Sequence, residues 1–345
     1  MIFRQFFDSV SSTYTYLIGS RSHGEALIID PVLEKVDRYL QLLAELDLKL
    51  VKAVDTHLHA DHVTALGALR DRTHCITVMG EQSKVDVVSL RISDGDSIDI
   101  EGVSLTALYT PGHTDDSYCF LMDDRVFTGD TLLIRGTGRT DFQHGDASQQ
   151  YDSIFGRLLT LPDDTLVFPG HDYKGDTVST IAEERAFNPR LQVESKEEYV
   201  ELMNNLNLPN PKMMDQAVPA NMKIGFHQDE LRERGWSMTC EEAIRRLGEP
   251  GLLLVDLRDD GERERHGEIP GAVHASYLEL DQHVAPGGLL HELAVSTGKQ
   301  LVFYCAYGER SAMAVEAAQG AGITGACHIE GGLERWKKLH GPLAK

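Results

Sequence analysis

Three histidines and an aspartate fall within T-H-L-H-A-D-H, residues 56–62, directly after the apolar run L-V-K-A-V-D. Imidazole and carboxylate groups bind divalent metals through lone pairs, and ligands two apart on a loop can point at one ion. The chain offers three more such groups: His113 in T-P-G-H-T, Asp130 in F-T-G-D-T and His171 in F-P-G-H-D. Each follows a predicted strand and sits beside a glycine, which lets the backbone turn sharply. His57, His59, Asp61, His62, His113, Asp130 and His171 are therefore candidate metal ligands, on four loops at one end of a sheet. A lone histidine is usually a satisfied core or surface residue; so many gathered in one place argue for metal. A second reactive group is Cys305 in L-V-F-Y-C-A-Y-G-E-R-S. It ends a predicted strand and precedes an apolar helix, where backbone N–H groups and the helix dipole favour thiolate over thiol. Arg310 is expected to close that loop over an anion, with Ala306, Tyr307, Gly308 and Glu309 between. Cys75, Cys119, Cys240 and Cys327 read as small buried residues.

Both groups need elements to hold them. Y-T-Y-L-I-G and E-A-L-I-I-D read as paired strands, and Val36, Leu40, Leu43 and Leu46 recur at helical spacing over 34–46. L-V-K-A-V-D is a buried strand. Hairpins follow around Glu101-Gly102 and Asp123-Asp124, and T-L-V-F-P-G-H closes the series. A polar stretch, H-Q-D-E-L-R-E-R-G (227–235), reads as a linker. After it, Thr239 and Glu242 form a predicted capping box, and strands L-L-L-V-D-L-R and L-V-F-Y-C alternate with helices. The expectation is an α/β domain over 1–226, the linker over 227–235, and a small parallel α/β domain over 236–345.

Composition narrows the function classes. A chain of 345 residues suffices for two cores, and 41% hydrophobic with 25% charged residues is ordinary for a globular protein. A net charge of −21 opposes a nucleic-acid partner, which needs a basic face. No apolar run is long enough to span a bilayer, and M-I-F-R-Q-F-F-D-S-V does not read as a secretory signal. Five scattered cysteines make no disulfide framework, so a reducing cytoplasm fits best. The sequence leaves self-association open.

The seven ligand candidates, in order, resemble the motif set of the metallo-β-lactamase superfamily, which implies an αββα sandwich for the first domain. Residues 135–143, R-G-T-G-R-T-D-F-Q, and 213–225, M-M-D-Q-A-V-P-A-N-M-K-I-G, resemble signatures of the persulfide dioxygenases within it. That resemblance implies one Fe(II) per chain, held by His57, His113 and Asp130, with three adjacent positions left open for O2 and a substrate sulfur. His59, Asp61, His62 and His171 would then orient the ligands and tune the iron. Glyoxalase II, a thioester hydrolase with two metals, shares the same ligands and is the alternative; the R-T-D-F-Q stretch argues against it. Thr137 departs from the pattern, standing where dioxygenase relatives often carry cysteine. A glutathione adduct carries two carboxylates, for which Arg139, Lys174 and Arg190 are candidate cations and Tyr173 a candidate hydrogen-bonding wall. Lys174 and Arg190 also fit plain solvated charge.

The Cys305 loop, with 253–274 and G-G-L-E-R-W (331–336), resembles a single rhodanese domain over about 236–345. C-x-x-x-x-R is the sulfurtransferase form of the loop. Cys305 would attack a sulfane sulfur, become a persulfide held by the amides from Tyr307 to Arg310, and pass the sulfur to a thiol. Glu268 stands where many relatives have histidine and is given no role. The two resemblances together imply glutathione persulfide, glutathione, thiosulfate and O2 as reactants. A sulfur-carrier protein with a structural metal half is a further rival.

Overall fold

The computed structural model describes residues 1–206, 208–209, 211, 213–226 and 228–344. His227 and Lys345, at the edges of the expected linker and second domain, lie outside them. The chain divides into two compact units: Met1–Asp86 with Arg91–Ile224, and Gly225–Lys345 with Val87–Leu90.

In the first unit one sheet takes β1 (Ile2–Asp8), β2 (Thr13–Gly19), β3 (Glu25–Ile29), β4 (Lys49–Val54), β5 (Ile76–Gly80) and β6 (Leu90–Ile92), in that order. The other takes β7 (Ser97–Ile100), β8 (Val103–Tyr109), β9 (Tyr118–Leu121), β10 (Arg125–Gly129), β11 (Leu166–Pro169) and β12 (Ser179–Thr180), again in sequence order. Phe3 and Tyr16 of the first sheet pack on Phe127 and Phe168 of the second at ring separations of 4.9–6.1 Å, so the sheets face each other across an aromatic core. This is the expected metallo-β-lactamase sandwich. Helix Val36–Glu45 links the parallel strands β3 and β4. It buries Val36, Tyr39, Leu42 and Leu43, whereas Leu40 and Leu46 are only half-buried. Val36 and Leu43 are common to the expected and the observed stripe, and Tyr39, whose OH meets Thr15 Oγ1 at 3.0 Å, joins the buried face with Leu42. β1 has no counterpart in the sequence reading; its pattern mixes polar and apolar positions and becomes a strand by full antiparallel pairing with β2.

The second unit is a parallel sheet ordered β13-β17-β16-β14-β15, with β13 (Ser237–Met238), β14 (Leu252–Asp256), β15 (Val273–His274), β16 (Gln300–Tyr304) and β17 (Cys327–Ile329). The stretch expected to be a linker contains a helix, Asp229–Glu233, and Leu231 is 1% exposed within this unit's core. One apolar side chain anchors an otherwise polar segment. Thr239 caps helix Cys240–Arg245 by accepting from Glu242 N, without the reciprocal half of a box. The complete box lies at Asp259 and Glu262, opening helix Asp260–His266.

Candidate functional site

The C-terminal ends of β4, β8, β10 and β11 carry His57, His113, Asp130 and His171. Two glycines allow the turns. Gly112 has φ +140° and a Cβ there would lie 2.3 Å from Gln150; Gly129 has φ +47°, with Thr56 Oγ1 2.7 Å from the same imagined atom. Either position excludes a side chain.

Ligating atoms of His57, His113 and Asp130 all lie within 4.8 Å of one another. Each histidine has its Nδ1 held elsewhere: His57 Nδ1 by Thr56 Oγ1 at 2.9 Å, and His113 Nδ1 by the Arg139 carbonyl at 2.7 Å. The rings are thus fixed, and His113 Nε2 lies 3.6 Å from Asp130 Oδ2. Asp30, at the end of β3, secures the loop behind them. It accepts from Thr56 N at 2.7 Å and Thr56 Oγ1 at 2.9 Å, and meets His59 Nε2 at 3.1 Å. Burial, reinforced by the neighbouring His59 and His113, holds His57 well below the usual imidazole range. It presents a lone pair. Sequence reasoning missed Asp30 and Thr56, although Thr56 opens the quoted motif.

The remaining four candidates form a linked group. His171 Nδ1 meets Asp130 Oδ1 at 2.6 Å, and its Nε2 meets Asp61 Oδ2 at 2.8 Å. Both ring nitrogens thus face carboxylates, which favours the doubly protonated, charged ring. Burial opposes that charge, but Asp130 and Asp61 raise the imidazole well above its ordinary value, while burial of the two carboxyls is overridden by His171 and they stay well below theirs. Asp61 Oδ2 also takes His62 Nδ1 and Thr13 Oγ1, each at 2.8 Å. His59, Asp61 and His62 form a second close set, in which His59 Nδ1 and His62 Nε2 are buried without a hydrogen-bond partner among the described residues. The donor set fits a divalent metal: imidazole nitrogens of fixed orientation converge on a carboxylate, and buried nitrogens stand unpaired.

The expected substrate cations behave differently from one another. Arg139 is not open to a ligand carboxylate. Its fork is filled by Asp141 at 2.5 and 2.6 Å and by the carbonyls of Pro209 and Leu208. What it gives the site is its own carbonyl, which orients His113. Arg190 donates to Thr137 O and Oγ1, and burial lowers its guanidinium. Thr137 serves as its acceptor through both its carbonyl and its hydroxyl oxygen. Tyr173 is 73% exposed, its ring parallel to His171 at 6.1 Å, and Lys174 is exposed beside it.

In the second unit Cys305 follows β16 and is 0% exposed, its Sγ accepting from Gly308 N at 3.1 Å. Gly308, at φ +97°, starts helix Glu309–Gly320. All five cysteines are buried and none forms a disulfide, so burial does not single out Cys305. The amide donor does. Burial pushes Cys119 and Cys240 up to about 11 and Cys327 to about 12. Ala306 and Tyr307 are half-buried, and Glu309, fully buried, accepts from Ser89 Oγ at 2.6 Å within the same unit. Arg310 departs from its expected role. Its guanidinium forms a bidentate pair with Glu262, both arms 2.7 Å, and does not reach over the loop as a free cation. Glu262 lay in a quoted stretch, and the D-D-G-E spacing of its capping box was the available signal.

The metallo-beta-lactamase superfamily matches residues 8–85 and 80–171, and the rhodanese-like domain matches residues 239–339. Human "Persulfide dioxygenase ETHE1, mitochondrial" is 50% identical over 228 residues, covering 65% of this chain and 89% of that protein. The crystal structure of ETHE1 from Myxococcus xanthus is 58% identical, with TM-score 0.63, covering 64% of this chain and 98% of that one. A metallo-beta-lactamase from Staphylococcus aureus subsp. aureus COL is alike in fold over 95% of this chain, at 21% identity and TM-score 0.61. The chain belongs to the persulfide dioxygenase family of the metallo-beta-lactamase superfamily and carries a rhodanese-like domain after it.

Proposed function

We propose that the first unit oxidises glutathione persulfide with O2 and water to glutathione and sulfite, releasing two protons, and uses a single Fe(II) held by His57, His113 and Asp130. The observation that carries this reading is the asymmetry of the seven ligand candidates. Three converge with their outer atoms fixed, whereas His171 stands outside that set with both ring nitrogens facing the carboxylates of Asp130 and Asp61. Iron held by those three residues would supply the redox chemistry of O2 and a binding position for the substrate sulfur. The chain's own residues do the rest. Thr56 and the Arg139 carbonyl set the imidazole planes, His171 keeps Asp130 ionised, and Arg190 with Lys174 and Tyr173 are the groups offered to the glutathione carboxylates.

In the second unit, the Cys305 thiolate attacks the outer sulfur of thiosulfate. The S–S bond breaks, sulfite leaves with the electron pair, and glutathione thiolate then takes the sulfur from the Cys305 persulfide. The Gly308 amide, which donates to Cys305 Sγ, supports the thiolate that starts this sequence. The two reactions share glutathione persulfide, which supports reading them as coupled. Five cysteines with no disulfide among them support a reducing compartment, proposed as the cytoplasm. Among the described residues no helix is long and apolar enough to cross a membrane.

A second reading, a dinuclear thioester hydrolase, is favoured by the unpartnered buried nitrogens of His59 and His62. Oxygen consumption by the iron-loaded protein given glutathione persulfide decides between them, with S-lactoylglutathione hydrolysis assayed alongside. Uptake with sulfite formation is expected; thioester hydrolysis without uptake would overturn the dioxygenase reading.

A further inference from the structure

Behind Cys305 runs a line of buried polar side chains that sheet and helix formation do not require. Ser311 Oγ lies 3.7 Å from Cys305 Sγ, 3.0 Å from the Gly308 carbonyl oxygen and 3.4 Å from His328 Nδ1. His328, on β17, has its Nε2 3.0 Å from Ser237 Oγ on β13. Ser311 and His328 are 0% exposed, while Ser237 is half-buried. A buried hydroxyl and imidazole are costly unless their hydrogen bonds are made, so their proton arrangement is constrained.

That arrangement points at the sulfur. The Gly308 carbonyl only accepts, so while Cys305 is a thiol the Ser311 hydroxyl donates to it. Ser311 Oγ then accepts from the Cys305 S–H and from His328 Nδ1–H, and His328 Nε2 accepts from the Ser237 hydroxyl. Burial pushes His328 down to about 4, so the ring is neutral and carries that single proton. When the sulfur becomes an anion, the Ser311 O–H turns from the Gly308 carbonyl to Sγ, with His328 still holding its oxygen. Every dipole from Ser237 inward then presents its positive end to Cys305.

We propose that Ser311, oriented by His328, is a positioning residue that gives the anionic Cys305 sulfur a second hydrogen bond beside that of the Gly308 amide. The inference rests on reading Cys305 as the sulfur carrier. The charged groups around the line are Glu309 and Arg310 on the same helix, Glu262 and Asp259 facing Arg310, and Glu330 and Arg232 near His328. Arg310 is paired with Glu262, so the charge it presents towards Cys305 is offset by a carboxylate, and Ser311 would add a neutral donor to it.

The test is the pH dependence of Cys305 alkylation by iodoacetamide in the full-length protein, read by peptide mass spectrometry. Ser311→Ala should move the midpoint up by about one pH unit and slow alkylation on its acid side on the order of tenfold. Ser311→Thr should retain the wild-type midpoint, and His328→Leu should move it up by a smaller amount. An unchanged midpoint in Ser311→Ala overturns the proposal; should that variant lack a cooperative melt, an unchanged midpoint in His328→Leu does so instead. Persulfide formation on wild-type Cys305 with glutathione persulfide, followed by mass, is scored separately. Its absence would sink the carrier reading while leaving the hydrogen bond to the alkylation result.

Discussion

Replacing Arg310 by methionine should cost far more stability than sulfur-site chemistry alone would imply. Arg310 and Glu262 are each 1% exposed at the side chain and meet through two 2.7 Å arms. Removing one member leaves a buried carboxylate whose other hydrogen bonds, from Asp259 N at 3.2 Å in the capping box among them, do not neutralise it. Breaking a buried pair this way costs about 3–5 kcal/mol. The chain's two tryptophans, Trp236 and Trp336, both lie in the second unit, so their fluorescence during urea unfolding reports that unit. With a denaturant slope of about 2 kcal/mol per molar, the midpoint should fall by roughly 2 M. The double variant Arg310→Met/Glu262→Met removes both charges and should recover most of the loss. The pair also has a pH signature. Burial alone would push the Glu262 carboxyl up, but Arg310 overrides it and holds the group below its ordinary value. The stability is therefore fully present above the unfolded value of about 4.3 and is lost as pH falls through the lower folded one. If Arg310→Met unfolds within about 1 kcal/mol of wild type, the guanidinium is not committed to Glu262, and the reasoning fails.

Thr56→Val removes the hydroxyl that joins Asp30 to His57 and should weaken metal binding about 10–100-fold in a chelator competition; unchanged affinity would mean that His57 needs no such support. Asp130→Ala takes away one of the three converging groups and the anionic partner of His171, so oxygen uptake with glutathione persulfide should vanish. Retained uptake would refute the proposed iron ligands. Cys305→Ser should end sulfur transfer from thiosulfate while oxygen uptake on added persulfide continues; joint loss would contradict two separate sites.

Much of the fold was legible because it is written in local patterns. Alternating and continuous apolar runs marked β2, β3, β4 and β16, and turn residues at Glu101-Gly102 and Asp123-Asp124 marked the β7–β8 and β9–β10 hairpins. β1 was not legible, since its mixed pattern acquires strand character only from pairing with β2. Nor was the helix inside the polar stretch after 227, where a single buried leucine outweighs the composition.

The site divides along the same line. Ligand types, their order and the glycines beside His113, Asp130 and His171 are properties of the chain itself, because metal coordination restricts residue type and a sharp turn restricts side-chain size. Which atom each residue offers is not. Arg139 and Arg310 carry the same charge in any fold, yet Asp141, two residues along, absorbs the first and Glu262 the second, and only long-range packing brings Glu262 within reach of Arg310. His171 reads as one more ligand in the sequence, and comes to lie between two carboxylates only when β10 and the loop after β4 set Asp130 and Asp61 on either side of it. Ser311 and His328, separated in sequence and unremarkable in type, become a hydrogen-bonded line because the strand carrying His328 lies beside the one that ends at Cys305. A hydrogen bond or ion pair depends on distances of a few tenths of an ångström between segments far apart in the chain. Residue type and spacing determine what a side chain can do, and the packing of the sheets and helices determines what it faces.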